Sequence, residues 1–228
     1  MLYIIGAGPG DPGLITVKGL NVLRSVDTVA GWGSVLDRFG EYLVGKRIIR
    51  LSYRNEAEGL KELVISAVNG DAALLIHGDP SVSESQLISK ITQLCREYGV
   101  NYEVIPGVSS VNAVLGLLGI DLDSSVFISL HVRGSLDDRL RELKTILKVL
   151  RRFIIVLPPP YPHGPRLIAK TLLDLGCDPE VIIIERATYN DQRIMRAKAS
   201  SVINLSNEFS DLTIMVIPPC SCDSNSFK

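Results

Sequence analysis

The sequence predicts an α/β protein of two α/β domains, with a mostly parallel five-stranded sheet in the N-terminal domain and a mixed sheet in the C-terminal domain. Through the first 118 residues, short apolar runs alternate with amphipathic stretches of helical period, which is typical of parallel strands joined by helices. A short polar stretch at 119–125 interrupts the alternation and indicates the domain boundary. After Glu185 two apolar segments follow without a helix between them, and turn residues at 189–191 favour antiparallel pairing there.

Residues 1–120 are predicted to form the first domain. Each strand is a short apolar run, and each helix places apolar residues three and four positions apart. The alternation of the two elements continues until the sheet has five strands. The predicted strands are 2–5, 28–30, 48–51, 72–77 and 102–105, and the predicted helices begin at Thr16 or span 56–68, 85–98 and 109–118.

Residues 121–219 are predicted to form the second domain, and residues 220–228 a polar tail. Three strands alternate with two helices before the pattern changes to two consecutive strands. A sheet that receives both kinds of connection is mixed. The predicted strands are 126–130, 153–157, 181–185, 194–199 and 212–217, and the predicted helices are 136–149 and 166–175.

The composition excludes several classes of protein. With 228 residues, 46% of them hydrophobic, and a formal net charge of −1, the chain can bury a core and lacks the basic surplus of a nucleic-acid-binding protein. No apolar run reaches the roughly 20 residues of a membrane span, and the N-terminal segment lacks the basic region of a signal peptide. We therefore expect a cytoplasmic protein with no membrane or nucleic-acid partner. Its four cysteines lack the spacing of a zinc site and are expected to be free thiols.

Three glycine-containing loops follow predicted strands of the first domain: GAGPGD at 6–11, GDPSV at 78–82 and PGVSS at 106–110. The first loop does not fit a dinucleotide-binding fingerprint, because Asp11 stands where a third Gly or Ala is required, and Lys18 lacks the spacing of a P-loop. Open α/β sheets bind ligands at the carboxyl ends of their strands. The turn that contains Gly8, Gly10 and Asp11 would let a ligand approach the backbone closely, although a tight connection without a ligand is the alternative.

The set of three loops resembles the tetrapyrrole methylases, also called class III S-adenosylmethionine-dependent methyltransferases. The resemblance covers nearly the whole chain, and it implies two α/β domains with S-adenosylmethionine bound in the cleft between them, and a homodimer. For Asp79, a turn residue that bonds to its own backbone is the alternative role. The residues for which the resemblance implies a place in the cofactor pocket are Pro9, Asp79, Val82, Ser109, Ser110, Leu157 and Ala187.

A segment at the start of the second domain resembles one particular enzyme type within this family. The run Ser129-Leu130-His131, followed by Arg133 after Val132, is similar to the Ser-Leu-His-Gly-Arg segment of the cobalt-precorrin-7 C5-methyltransferases (CbiE type) of cobalamin biosynthesis. This implies a corrinoid substrate and a separate C15-methyltransferase and decarboxylase as partner. Two other enzymes remain alternatives: another tetrapyrrole methylase, such as a precorrin-2, -3 or -4 methyltransferase, or diphthine synthase, which methylates the modified histidine of elongation factor 2 and whose N-terminal segment is similar to 14–20. A non-catalytic module that binds a nucleotide or a partner is the third reading.

Seven residues are candidates for catalysis or substrate binding. The implied reaction requires a base only for the final proton on the methylated carbon, and His131 or Glu185 can serve. Arg133 is a candidate for binding the carboxylate arms of the macrocycle, unless the basic stretch that it begins is a solvated helix face. Trp32, between two glycines, either stacks on a flat substrate or packs in the core. The remaining candidates for substrate binding are the backbone groups of Gly8, Gly10 and Asp11, and no metal is predicted.

Overall fold

The structure is a computed structural model that describes residues 1–132, 134–206 and 208–220. The chain divides into two compact units, the first Met1–Ser110 and the second beginning at Val111. The boundary predicted from the polar stretch lies about ten residues later, so that almost all of the helix before that stretch belongs to the second unit.

The first unit contains a parallel sheet of five strands. The strands are β1 (Leu2–Gly6), β2 (Thr28–Trp32), β3 (Arg47–Leu51), β4 (Ala72–Ile76) and β5 (Tyr102–Ile105), in the spatial order β3-β2-β4-β1-β5. The helices are α1 (Val17–Ser25), α2 (Gly33–Leu36), α3 (Gly40–Leu43), α4 (Glu56–Asn69) and α5 (Ser85–Glu97), with 3-10 turns at Pro12–Leu14 and Asp37–Phe39.

Both faces of this sheet are buried, which explains why its central strands are continuous apolar runs. Leu74 of β4 packs in one cluster with residues of α4 and α5, whereas the next residue, Leu75, packs in a second cluster with residues of α1 and α2. α1 begins after Thr16, whose hydroxyl accepts a hydrogen bond from the Gly19 N–H at 3.1 Å. Because all five strands are parallel, their carboxyl ends meet at one edge of the sheet.

The second unit contains a mixed sheet of five strands. Its elements are α6 (Ser110–Leu118), β6 (Ser125–Ser129), α7 (Asp137–Val149), β7 (Phe153–Leu157), α8 (Gly164–Asp174), β8 (Glu180–Glu185), β9 (Arg193–Lys198), α9 (Ala199–Val202) and β10 (Thr213–Ile217). A 3-10 turn, Leu122–Ser124, precedes β6. The order is β6-β7-β10-β8-β9, with β6 parallel to β7, and with β10 antiparallel to its neighbours β7 and β8. β8 and β9 are antiparallel, as the turn residues at 189–191 predict.

The predicted fold class is confirmed, and the differences concern short elements and element ends. The helices α2, α3 and α9 have four residues each and were not predicted, because one helical turn carries no amphipathic period. β2 continues two residues beyond its predicted end, so that Trp32 pairs with Leu51 of β3.

The cysteines depart from the sequence prediction. Cys177 is disulfide-bonded, so the expectation of four free thiols is wrong for this residue, whereas Cys95 and Cys220 are free. Spacing along the chain does not report which thiols lie close together in the fold. Burial raises the pKa of the Cys95 thiol, as is typical of an inert core cysteine.

Among the described residues, none of the helices combines the length and the apolar character that crossing a bilayer requires.

Candidate functional site

Three loops meet at the carboxyl edge of the first sheet, where β5, β1 and β4 lie side by side. Gly8 and Gly78 exchange two backbone hydrogen bonds, of 3.2 Å from the Gly8 N–H and 2.9 Å from the Gly78 N–H. A Cβ atom on Gly107 would lie 2.4 Å from the carbonyl oxygen of Gly78 and 2.7 Å from the carbonyl carbon of Gly6. We call this contact of Gly6, Gly8, Gly78 and Gly107 the glycine junction. It leaves no room for a side chain on Gly107.

The Asp79 carboxylate joins two loops of the glycine junction. Its Oδ2 accepts a hydrogen bond from the Gly107 N–H at 2.8 Å, and its Oδ1 accepts from the Ser81 N–H at 2.7 Å and from the Ser81 hydroxyl. Asp79 is only 9% exposed, so these charge-assisted bonds are largely shielded from water. The turn role weighed from the sequence is present, and the bond to Gly107 adds a connection between loops that no local motif indicates.

Arg38 holds the first loop from the connection between β2 and β3. Its Nη1 donates to the carbonyl oxygen of Gly10 at 2.8 Å and to that of Gly8 at 3.3 Å. Its guanidinium lies over the Phe39 ring, 5.6 Å from the ring centroid. Arg38 was not among the residues predicted from the sequence, because the run Leu36-Asp37-Arg38-Phe39 matches no motif and its contact spans 28 residues of chain.

Trp32 occupies a position between core and surface. It ends β2, it is partly buried, and it packs against the apolar clusters on both faces of the first sheet. Its ring also contacts that of Tyr53, with centroids 4.9 Å apart and an interplanar angle of 54°. Trp32 therefore packs in the core, and its stacking on a substrate stays a prediction.

In the second unit, β6, β7 and β8 end on the same side of the sheet, because β10 is antiparallel to both β7 and β8. His131 and Leu157 lie at neighbouring strand ends, where the Leu130 N–H donates to the carbonyl oxygen of Leu157 at 2.8 Å. The His131 N–H donates to Ser129 Oγ at 3.2 Å. Glu185 ends β8, three strand spacings from β6, or about 14 Å. The two candidate bases are therefore not adjacent.

Glu185 and the turn after it are held by local contacts. Glu185 is buried, with 8% of its surface exposed, and its Oε1 accepts a hydrogen bond from the Ser210 N–H at 2.8 Å. The next residues include two non-glycine residues with positive φ, Arg186 at 51° and Thr188 at 68°. L-residues rarely adopt this region, so Ala187 lies in a turn of uncommon geometry.

The remaining predicted residues lie mostly beside the glycine junction. The exposed Asp11 accepts from the Gly13 N–H at 2.7 Å and so caps the 3-10 turn that follows. Arg133, the candidate for binding carboxylate arms, falls outside the described residues. The structure describes no cluster of three or more side chains suited to hold a metal ion. The predicted cofactor residues that lie in the three loops, or begin the helix after them, are Pro9, Val82, Ser109 and Ser110.

Known proteins are similar to this chain in sequence and in fold. The model of the tetrapyrrole (corrin/porphyrin) methylase family matches residues 1–203. Precorrin-4 C(11)-methyltransferase of Pseudomonas aeruginosa is 30% identical over 209 residues, which are 89% of this chain and 82% of that protein. A probable cobalt-precorrin-7 C(5)-methyltransferase of Methanocaldococcus jannaschii is 28% identical over 220 residues, 95% of this chain and 97% of that protein.

A solved structure adds a bound ligand to the comparison. Uroporphyrin-III C-methyl transferase from Thermus thermophilus, complexed with S-adenyl homocysteine, matches this fold with a TM-score of 0.74 and 25% sequence identity. The match covers 95% of this chain and 91% of that one.

Proposed function

The chain belongs to the tetrapyrrole (corrin/porphyrin) methylases, and on that premise we propose that it methylates C5 of cobalt-precorrin-7. The family predicted from the three loops is thereby confirmed. The chain is a methyltransferase whose cofactor is S-adenosylmethionine. What remains a proposal is the substrate and the carbon that receives the methyl group.

The alignment with the M. jannaschii protein supports C5 most strongly, since it extends over 95% of this chain and 97% of that one. The relative named for C11 has similar identity but aligns over 82% of its length. The segment Ser129-Leu130-His131, which begins at the last residue of β6, agrees with the same choice through its similarity to the C5 enzymes.

The edge of the first sheet fits a cofactor that is recognised mainly through backbone groups. Adenosyl and amino-acid groups require peptide donors and acceptors and small hydroxyls, and Ser109 and Ser110 bring hydroxyls to the start of α6. We propose that Pro9, Val82 and these two serines contact the cofactor. Asp79 holds Gly107 through its Oδ2 and remains a predicted cofactor contact, since a carboxylate can accept further hydrogen bonds. When bound, S-adenosylmethionine supplies a methyl group on a sulfonium centre.

The residues of the second unit have proposed roles as well. A proton must leave the methylated carbon, and a neutral imidazole carries one nitrogen that can accept it. We place this acceptor at His131 and a structural role at Glu185, whose Oε1 already bonds to Ser210. Leu157 and Ala187 remain predicted cofactor contacts, and Arg133 remains the predicted partner of the carboxylate arms. Most of the acceleration is expected from alignment of the reactants.

The test is methyl transfer from S-adenosylmethionine labelled with ¹³C in the methyl group to a pool of corrinoid precursors, followed by mass spectrometry and NMR. We expect one labelled methyl group per macrocycle, on C5. Label on C11 would contradict the C5 assignment and favour the reaction named for the P. aeruginosa relative. In a parallel reaction with elongation factor 2 as the acceptor, label on its modified histidine, with no corrinoid product in the first reaction, would indicate a diphthine synthase. Absence of S-adenosylhomocysteine binding in calorimetry would favour the non-catalytic module.

Three finer statements complete the proposal. We propose that the protein is a homodimer, that it acts in the cytoplasm, and that a separate C15-methyltransferase and decarboxylase takes up its product. Light scattering after gel filtration tests the homodimer, which a mass equal to one chain would contradict. Microscopy of the tagged protein tests its location. Co-purification with the C15 enzyme tests the third statement, and an unchanged corrinoid conversion rate when that enzyme is added would contradict it.

A further inference from the structure

The carboxyl edge of the first sheet continues past the glycine junction to a pair of aromatic rings. β2 lies beside β4 and ends in Trp32, and β3 lies beside β2 and leads to Tyr53 two residues after its end. Tyr53 is 74% exposed, although its ring contacts that of Trp32. Trp32 is anchored in the core on its other side. The edge that carries the predicted cofactor loops therefore also presents a supported aromatic surface to solvent.

The turn that carries Tyr53 is held in one conformation by Asn55. The Asn55 Oδ1 accepts hydrogen bonds from the Ser52 N–H at 2.7 Å and from the Ser52 hydroxyl at 2.9 Å, and its Nδ2 donates to the carbonyl oxygen of Arg50 at 3.0 Å. Tyr53 and Arg54 lie between these fixed ends. Binding of a ligand to these two residues would therefore cost little conformational entropy, because the turn is already ordered.

Two arginines lie near the pair, one of them in an ion pair and the other exposed. The Arg50 guanidinium pairs with Asp37 at 2.6 Å, and its Nη1 lies 3.3 Å from where a Cβ of Gly33 would be, next to Trp32 in sequence. Arg54 is exposed and follows Tyr53 directly. Flat rings stack on aromatic side chains, and guanidinium groups bind carboxylates.

From this arrangement we infer that Trp32 and Tyr53 form a stacking surface for the macrocycle, and that the exposed Arg54 attracts its carboxylate arms. Tyr53 is thus a specificity-determining residue that selects a flat polycarboxylate ligand. The inference rests on the proposed function, because it takes a tetrapyrrole as the substrate. It adds a binding surface that the three loop motifs do not contain.

The test measures binding of two probes, uroporphyrin III and S-adenosylhomocysteine, by calorimetry. The proteins are the wild type, Tyr53→Ala, Tyr53→Phe and, as a matched control, Tyr98→Ala, which alters a partly exposed tyrosine after α5, at the opposite edge of the sheet. Loss of one stacking ring is expected to weaken uroporphyrin binding about tenfold in Tyr53→Ala. Tyr53→Phe keeps the ring and is expected to bind within about twofold of the wild type. Tyr98→Ala should match the wild type, and all four proteins should bind S-adenosylhomocysteine equally.

Each other outcome overturns the inference in a different way. Unchanged uroporphyrin affinity in Tyr53→Ala overturns it and leaves the proposed function intact, provided that the variant still methylates the corrinoid pool. Weaker binding of S-adenosylhomocysteine by the same variant would assign the rings to the adenine of the cofactor instead. A wild type that binds S-adenosylhomocysteine but no uroporphyrin overturns the inference, and the corrinoid assay then decides whether the proposed function fails too.

Discussion

The glycine junction of the first unit and the strand ends of the second unit differ in what holds them. At the junction, two loops exchange backbone hydrogen bonds, the third packs closely against them at Gly107, and the carboxylate of Asp79 bonds to backbone N–H groups. In the second unit, a candidate side chain is tied to one neighbouring loop, as Glu185 is to Ser210. Where backbones touch, only glycine fits, so the sequence is constrained and recognisable. Where a single side chain acts, its identity alone does not reveal its role.

Two aspartates show the same difference at the scale of one residue. Asp79 accepts from the N–H and the hydroxyl of Ser81, and Asp178 accepts from the N–H and the hydroxyl of Ser200, both at 2.8 Å. Asp79 is buried and has a third bond, to Gly107. Asp178 connects the residues before β8 to α9 at the surface. Each aspartate accepts two hydrogen bonds from one serine, and burial with the third bond decides how much each residue contributes.

The largest expected effect comes from adding one methyl group to the glycine junction. Gly107→Ala would place a Cβ atom 2.4 Å from the Gly78 carbonyl oxygen, so the loops must separate. We expect a loss of about 3 kcal/mol in the free energy of unfolding and loss of S-adenosylhomocysteine binding. Urea unfolding, monitored by the fluorescence of the single tryptophan, measures the free energy of unfolding. Calorimetry measures the binding of S-adenosylhomocysteine.

Gly116→Ala is the matched control, because a Cβ on Gly116 in α6 meets nothing within 4 Å. We expect this variant to gain about 0.5–1 kcal/mol of stability, as alanine is the better helix former. If Gly107→Ala were as stable as Gly116→Ala and bound the cofactor product normally, the junction would not be the rigid centre that we describe.

Asp79→Asn should have the next largest effect. The amide keeps one acceptor oxygen, and its NH₂ group must then face either the Gly107 N–H or the Ser81 donors. We expect a loss of about 2 kcal/mol in the free energy of unfolding, because a buried donor is left without its charged partner. Binding of S-adenosylhomocysteine should weaken about tenfold if the loops hold the cofactor. Normal stability with abolished binding would instead indicate that Asp79 contacts the ligand directly.

A smaller effect is expected from Glu185→Gln in the second unit. The amide oxygen can still accept from the Ser210 N–H, so stability should fall by only about 1 kcal/mol, the difference between a charged and a neutral acceptor. Methyl transfer should remain within about threefold of the wild type, because the proton acceptor is placed at His131. A general base contributes about 10²–10⁴-fold to the rate, so a loss of that size would identify Glu185 as the base.

The sequence predicts those parts of the molecule that depend on local pattern. Strand β5 (Tyr102–Ile105) begins and ends where the sequence predicts, and the parallel and antiparallel parts of the two sheets follow from the order of strands and helices. The three loops were predicted for a related reason, since close backbone contact leaves glycine at fixed offsets from the strand ends.

The remainder depends on contacts between distant parts of the chain. The bonds from Arg38 to Gly8 and Gly10 cross 28 or more residues, and the bond from Asp79 to Gly107 crosses 28. The Tyr53 ring contacts Trp32 only because β3 lies beside β2 in the sheet. No periodicity encodes these pairs, since each depends on which strands become neighbours.

The smallest expected effect separates the two aspartates by pH. Two hydrogen bonds from Ser200, the stronger effect from its backbone N–H and the weaker from its hydroxyl, hold the pKa of the Asp178 carboxyl below its ordinary value. The unfolded chain therefore takes up this proton at a higher pH than the folded chain, so Asp178 stabilises the fold above the ordinary pKa, and the stabilisation is lost as the pH falls through the lowered one. Asp178→Asn should be slightly less stable than the wild type near neutral pH, and the difference should disappear as the pH falls through the lowered pKa of Asp178. The deficit should be much smaller than that of Asp79→Asn, because solvent screens an exposed carboxylate. Urea unfolding of both variants from neutral to acid pH measures the two deficits in stability. A deficit for Asp178→Asn that grew towards acid pH, or that equalled the deficit of Asp79→Asn, would show that burial does not distinguish the two sites.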